Sequence, residues 1–179
     1  MKKNSIMLTI MLLLTLGLVQ FANAADAQPF QITLPTGFGA FASQTQTAKS
    51  PNGKNIKVTT WVSKSPTTEA IIVSVTKMWA KIADPEQQMA SSRDSLLKSV
   101  NGTIDSEQKI DGTSMRLQFH SGTNAFLRAR LMVKGDSLYQ LLYVGRTAEM
   151  RANPSVDGLF QSFQITDTPE QSAAATVGH

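Results

Sequence analysis

Few side chains in this 179-residue chain have the types and spacing that chemistry needs. Ser-x-x-Lys occurs twice, as Ser74-Val75-Thr76-Lys77 and Ser95-Leu96-Leu97-Lys98. A lysine beside a serine can ease loss of the hydroxyl proton, but the Ser-Asp-Asn and Lys-Thr-Gly companions of such a site are missing. Of the two histidines, His179 is the terminal residue and His120 has no second histidine to share a metal with. Zinc sites need three or four ligands, so a surface or capping role is expected for His120. Asp105 and Glu107 alternate on an expected strand and would point the same way, but Lys109 follows on that side, which predicts a solvated, charge-mixed face. Gly37-Phe38-Gly39 lacks a third glycine and opens no helix, so it predicts a turn and not a phosphate loop. Asn101-Gly102-Thr103 fits a glycosylation sequon and also a helix end, and the helix end is the expected role. Trp61 and Trp79 could line a ligand site; packing beneath a helix is the expectation for Trp61. No catalytic residue, metal ligand or cofactor is predicted.

One cluster is of interest. Arg116, Arg128 and Arg130, with His120 and Gln140, fall on three consecutive expected strands. If Ser121-Gly122-Thr123 and Lys134-Gly135-Asp136 are both three-residue hairpin loops, Arg116 lies opposite Arg128, and Arg130 opposite Gln140. Like charges directly opposite are destabilising, so anions, acids or water must compensate. Arginine binds carboxylate or phosphate in bidentate fashion, which makes these residues a candidate site for an anionic ligand or acidic partner. The plainer expectation is that the side chains lie over Phe126 and Met132 and pair with Asp94 or Glu149.

The elements that would position this cluster can be read along the chain. Lys2 and Lys3, the uncharged run Ile6 to Val19, and Ala22-Asn23-Ala24 form a secretory signal pattern, with cleavage expected after Ala24. That run is shorter than the roughly 20 residues of a membrane-spanning helix. Residues 25–28 are expected to be a flexible leader, 29–166 a single domain, and 167–179 a disordered tail with little to bury. The chain has no cysteine, which excludes disulfides, thiol chemistry and a lipid on an N-terminal cysteine. The first 24 residues hold two of the 17 basic residues and none of the 13 acidic ones, so the remainder carries 15 against 13, a net +2. That small excess argues against nucleic acid.

Strands are expected at 30–34, 38–47, 56–62 and 70–76, divided by Pro35-Thr36-Gly37 and Pro51-Asn52-Gly53. In the third of these, Ile56, Val58, Thr60 and Val62 would form the buried face. A helix capped by Asp84 with Pro85 at its first position carries Met89, Arg93, Leu96, Leu97 and Val100 on one stripe and ends at Asn101-Gly102. A short strand near 103–110 and strands at 114–120, 124–133 and 137–145 follow. A last helix begins at Asn153-Pro154 with Val156, Leu159, Phe160 and Phe163 on its apolar stripe. The same loop lengths pair Leu117 with Leu127, Leu127 with Tyr143, and Leu131 with Tyr139 on one apolar face. Phe126, Met132, Leu138, Leu142 and Val144 are then left on the arginine face. That face is only half polar, so something covers part of it. The fold class is therefore α+β, an antiparallel sheet flanked by helices.

At these residues the chain resembles the PsbP-like superfamily, the α/β/α sandwich of the photosystem subunit PsbP, the Ran-binding Mog proteins and several bacterial envelope proteins. The resemblance rests on Phe30-Gln31-Ile32-Thr33-Leu34-Pro35-Thr36-Gly37-Phe38, on Ile71–Val75 leading to the helix at Asp84, and on Leu159-Phe160-Gln161-Ser162-Phe163. It implies a fold and a non-catalytic accessory role, and it carries over no site residues. Many bacterial relatives are lipoproteins, from which this chain departs. The expected function is that of a periplasmic or secreted bacterial accessory or binding protein, without a stable membrane anchor, acting on a protein or an anionic ligand of the cell envelope. Two other readings stay open: a binder of small anions, and an envelope hydrolase, against which stands the lack of a nucleophile–base pair.

Overall fold

The computed structural model describes residues 28–50 and 53–166. The expected signal peptide, most of the leader, the Pro51-Asn52 pair and the expected tail lie outside the described residues. Strands β1 (Phe30–Gln31) and β9 (Gln164–Ile165) pair with each other. The main sheet is antiparallel and contains β2 (Ala42–Lys49), β3 (Asn55–Lys64), β4 (Ala70–Lys77), β5 (Thr103–Asp111), β6 (Ser114–Ser121), β7 (Ala125–Lys134) and β8 (Ser137–Gly145). Its spatial order is β2-β3-β4-β8-β7-β6-β5. Helix α1 (Pro85–Val100) covers one face, and α3 (Pro154–Ser162) covers the other. The fold is the α+β sandwich that the patterning predicts. A short helix α2 (Ala148–Arg151), capped by the Thr147 hydroxyl, was not expected.

The helix ends follow their local chemistry. Asp84 accepts a hydrogen bond from the Gln87 N–H, and Pro85 starts the helix. Asn101 closes α1 in the left-handed conformation, φ 49°, a geometry a short polar side chain tolerates. Asn153 caps α3 by accepting from the Ser155 N–H, with Pro154 next. The opening of the domain is less regular than expected. Only Phe30–Gln31 is strand, and β2 begins at Ala42, because the chain turns at Thr36-Gly37 with Gly37 at φ 93°.

Two apolar layers result. Under α1, Met89 and Leu96 meet Met115, Leu117 and Phe119 of β6, Leu127, Ala129 and Leu131 of β7, and Leu138 and Leu142 of β8. Under α3, Val156, Leu159 and Phe160 meet Ile71, Val73, Trp61, Leu141 and Tyr143. On β3 the more deeply buried residues are Thr59, Trp61 and Ser63, not Val58, Thr60 and Val62. The reason is positional: Phe30 packs against both Trp61 and Phe163, while α1 stands over β6–β8.

Hairpin register differs from expectation at both links, for a definite reason in each. Between β6 and β7 the loop is Gly122-Thr123-Asn124, one residue later than expected, so Ser121 pairs with Ala125. That moves the register by two and keeps every side chain on its face. Leu117 therefore faces Ala129, and Arg116 faces Arg130 instead of Arg128. Between β7 and β8 the loop has two residues, Gly135-Asp136, with Gly135 at φ 63° and Lys134 paired with Ser137. That is a slip of one, which reverses faces for all of β8. Leu127 faces Val144, Leu131 faces Gln140, and Met132 faces Tyr139. Leu138, Gln140, Leu142 and Val144 thus join the α1 side, and Tyr139 and Tyr143 join the arginine side.

Candidate functional site

The site is built on the α3 side of β6 and β7. Strand residues alternate between faces, so Arg116, Gln118 and His120 of β6 share a face with Phe126, Arg128 and Arg130 of β7. Arg128 stands opposite Gln118, and Arg130 opposite Leu141 on its other side. Gln140 leaves the site altogether. It lies on the α1 face, where its Nε2 donates to the Ser92 hydroxyl at 2.6 Å.

The arginines have distinct surroundings. Arg128 forms an ion pair with Asp157 of α3, and its guanidinium lies 4.7 Å from the centre of the Phe160 ring. Its partner is thus Asp157; Asp94 is engaged by Arg93, and Glu149 sits at the capped start of α2. Arg130 donates to the Phe160 carbonyl at 3.4 Å, a long bond to the last turn of α3. No acidic side chain among the described residues lies within ion-pair distance of Arg116 or Arg130. The Nε–H groups of both are buried without an acceptor. Burial, and then the facing Arg116, hold the Arg130 guanidinium below its ordinary pKa, with Asp111 acting the other way.

His120 belongs to a separate cluster at the other end of β6. Its Nδ1 is 2.6 Å from Asp105 Oδ1, and Arg151 of α2 holds the other Asp105 oxygen. Arg151 also donates to the Phe119 carbonyl at 3.2 Å. Asp105 and Glu107 do not point the same way as the alternation predicts. A bulge between Ile104 and Ser106 turns Asp105 to His120, while Glu107 crosses to the α1 side and pairs with Arg93. There Lys109 pairs with Glu86. Among the described residues no group of three or more His, Asp or Glu side chains could hold a metal ion.

The remaining candidates resolve individually. Trp61 is buried against Phe30, and Trp79 is exposed. Ser74 and Lys77 lie three apart on a strand, hence on opposite faces, so that Ser-x-x-Lys cannot act as a pair.

A set of cations was not singled out from the sequence. Lys134 pairs with Ser137, Ser137 with Lys77, and Lys77 with Lys57. All lie on the arginine face, in one row across β7, β8, β4 and β3, and the three lysines are exposed. The lysines are scattered in sequence, and only the strand order reveals the row.

The architecture places the chain among α+β proteins with an antiparallel sheet between helices. Among solved structures it is similar to the solution structure of cyanobacterial PsbP (CyanoP) from Synechocystis sp. PCC 6803, with a TM-score of 0.44 and 13% identity over 80% of this chain and 96% of that one. Neither a family nor a function is carried over from that similarity. No family model matches the sequence, and no curated protein matches it.

Proposed function

We propose that this is an exported, non-catalytic binding protein whose Arg116–Arg130 pair receives a carboxylate or phosphate group of an acidic partner. The observation that carries this reading is the pair itself. Two half-buried guanidinium side chains face each other across neighbouring strands with no acid within ion-pair distance among the described residues, while Arg93, Arg128 and Arg151 each meet a carboxylate. Such a pair opposes folding twice, through like-charge repulsion and through buried Nε–H groups, each costing about 1–3 kcal/mol when unmet. An anion lying across the terminal amino groups removes the repulsion and gains charge-assisted hydrogen bonds. The signal pattern at residues 1–24 supports export. The non-catalytic half is supported by the separation of Ser74 from Lys77 and by the engagement of Asp105 with Arg151 as well as His120.

The test is titration of the purified protein with inorganic phosphate and with N-acetylglutamate, followed by amide chemical shifts. Perturbations centred on residues 114–118 and 128–132, and absent from Arg116→Gln/Arg130→Gln, are the expected result. Binding that this variant leaves intact overturns the reading. Export is tested separately by the intact mass of the protein recovered from the cell envelope, expected to begin at Ala25.

A further inference from the structure

The arginine pair is not the only like-charged pair facing across strands on this side of the sheet. Lys57 of β3 stands directly opposite Lys77 of β4, on the same face, with both side chains exposed. Lys134 stands on the other side of Ser137 from Lys77, so the row reads Lys134, Ser137, Lys77, Lys57. Lys77 shares Asp136 at 3.9 Å, a carboxylate on the adjacent turn. Direct cross-strand pairing of like charges disfavours a sheet, and this sheet does it twice on one face.

The geometry between the pairs defines what could use both. From Arg130 to Lys77 the path crosses β8 and moves four residues along the strand, so their Cα atoms are about 16 Å apart by strand spacing and rise. The row between them, Met132, Tyr139 and Val75, is buried. The two pairs are thus separate anchor points with uncharged protein between them. A single small anion cannot touch both. A flat anionic bilayer can meet the exposed lysines but not the half-buried guanidinium groups of Arg116 and Arg130, whose Nε atoms are sealed from solvent. A flexible chain carrying carboxylates at intervals can meet both.

We propose, building on the arginine-pair reading, that the partner is an extended acidic polypeptide segment. One of its carboxylates sits on Arg116 and Arg130, and another, several residues away, sits on Lys57 and Lys77. Linking the two contacts raises the affinity of the whole above that of either anchor.

Hexaglutamate is the probe, since six extended residues span about 20 Å. N-acetylglutamate is the single-anchor control, and both are titrated calorimetrically into the purified protein. The wild type should bind hexaglutamate more tightly than N-acetylglutamate. Lys57→Ser/Lys77→Ser should weaken hexaglutamate roughly tenfold or more and leave N-acetylglutamate unchanged, because it removes the second anchor alone. Lys57→Ser, which leaves the Lys77–Asp136 contact in place, should give a smaller loss in the same direction. Arg116→Gln/Arg130→Gln should abolish binding of N-acetylglutamate and weaken hexaglutamate. If the lysine variants bind hexaglutamate as the wild type does while the arginine variant fails, the extended partner is wrong and the arginine site stands. If the arginine variant binds N-acetylglutamate normally, the site itself is wrong. Binding to phosphatidylglycerol vesicles that depends on Lys57 and Lys77, with none to hexaglutamate, would replace the polypeptide by a membrane surface and overturn the proposal.

Discussion

The two faces of the sheet differ in how they handle charge. Beneath α1, the charged side chains at the margin are matched: Arg93 meets Glu107 at 2.9 Å, Lys109 meets Glu86 at 3.1 Å, and the interior Gln140 amide finds Ser92. Beneath α3, the apolar layer is as well buried and Arg128 and Lys77 meet Asp157 and Asp136, yet its margins also hold the facing like-charged pairs Arg116–Arg130 and Lys57–Lys77. Both faces bury enough apolar surface to fix the fold. Only one does so while setting like charges directly opposite each other across neighbouring strands. Facing like charges disfavour a sheet, so the two faces differ in how far their charges serve stability.

The largest expected effects test whether both faces are true cores. Phe160 is 1% exposed, and Phe160→Ala should cost about 3–5 kcal/mol in urea unfolding, with Leu127→Ala on the opposite face costing about 2–5 kcal/mol. A loss below about 1 kcal/mol at Phe160 would mean that α3 does not seal its face, and the comparison would fail at its root.

A smaller pair of effects should differ in sign. Arg93→Met removes a matched charge from the α1 side and should destabilise by up to about 1 kcal/mol, since the pair is partly solvated. Arg116→Met/Arg130→Met removes an unmatched pair and should leave stability unchanged or raise it by about 1 kcal/mol in the absence of ligand. Equal destabilisation by both would show that the arginine pair is part of the structural ledger, and the contrast between the faces would vanish.

Much of this arrangement was legible in the sequence, and the part that was not has a simple cause. Caps and prolines fixed the starts of α1 and α3, alternation identified β3, β-branched residues identified β4, and Gly-containing links marked off β6, β7 and β8. The shared face expected for Arg116, Arg128 and Arg130 held on β6 and β7 because a register error of two preserves faces. It failed on β8 because Lys134-Gly135-Asp136 reads equally well as a loop of three or of two, and one residue there moves Gln140 from one side of the sheet to the other. The lysine row was invisible because it needs the strand order β7-β8-β4-β3, in which β4 and β8 are far apart in sequence. The Asp105 cluster was hidden by a bulge, which strict alternation does not anticipate.

That bulge supplies the smallest effect and a check on which side Asp105 serves. The hydrogen bond from Arg151 holds the Asp105 carboxyl below the ordinary carboxylate pKa, burial opposes it, and the bond to His120 adds to the lowering. A carboxylate depressed in the folded state stabilises the fold wherever it is ionised in both states. Its contribution is complete above the ordinary value and disappears as the pH falls through the lower, folded value. Asp105→Asn should therefore lower the melting temperature slightly near neutrality, and the gap from the wild type should close as the pH is taken from about 6 to below about 3. The contribution is modest because Asp105 is partly open to solvent. Arg151→Gln should reproduce the effect, since it removes the same bond from the other end. A gap that stays constant through acid would mean that Asp105 holds β5 to α2 by geometry alone. Arg128–Asp157 would then be the matched pair left on the α3 side, and the line between the two faces would be sharper than the Asp105–Arg151 contact now makes it.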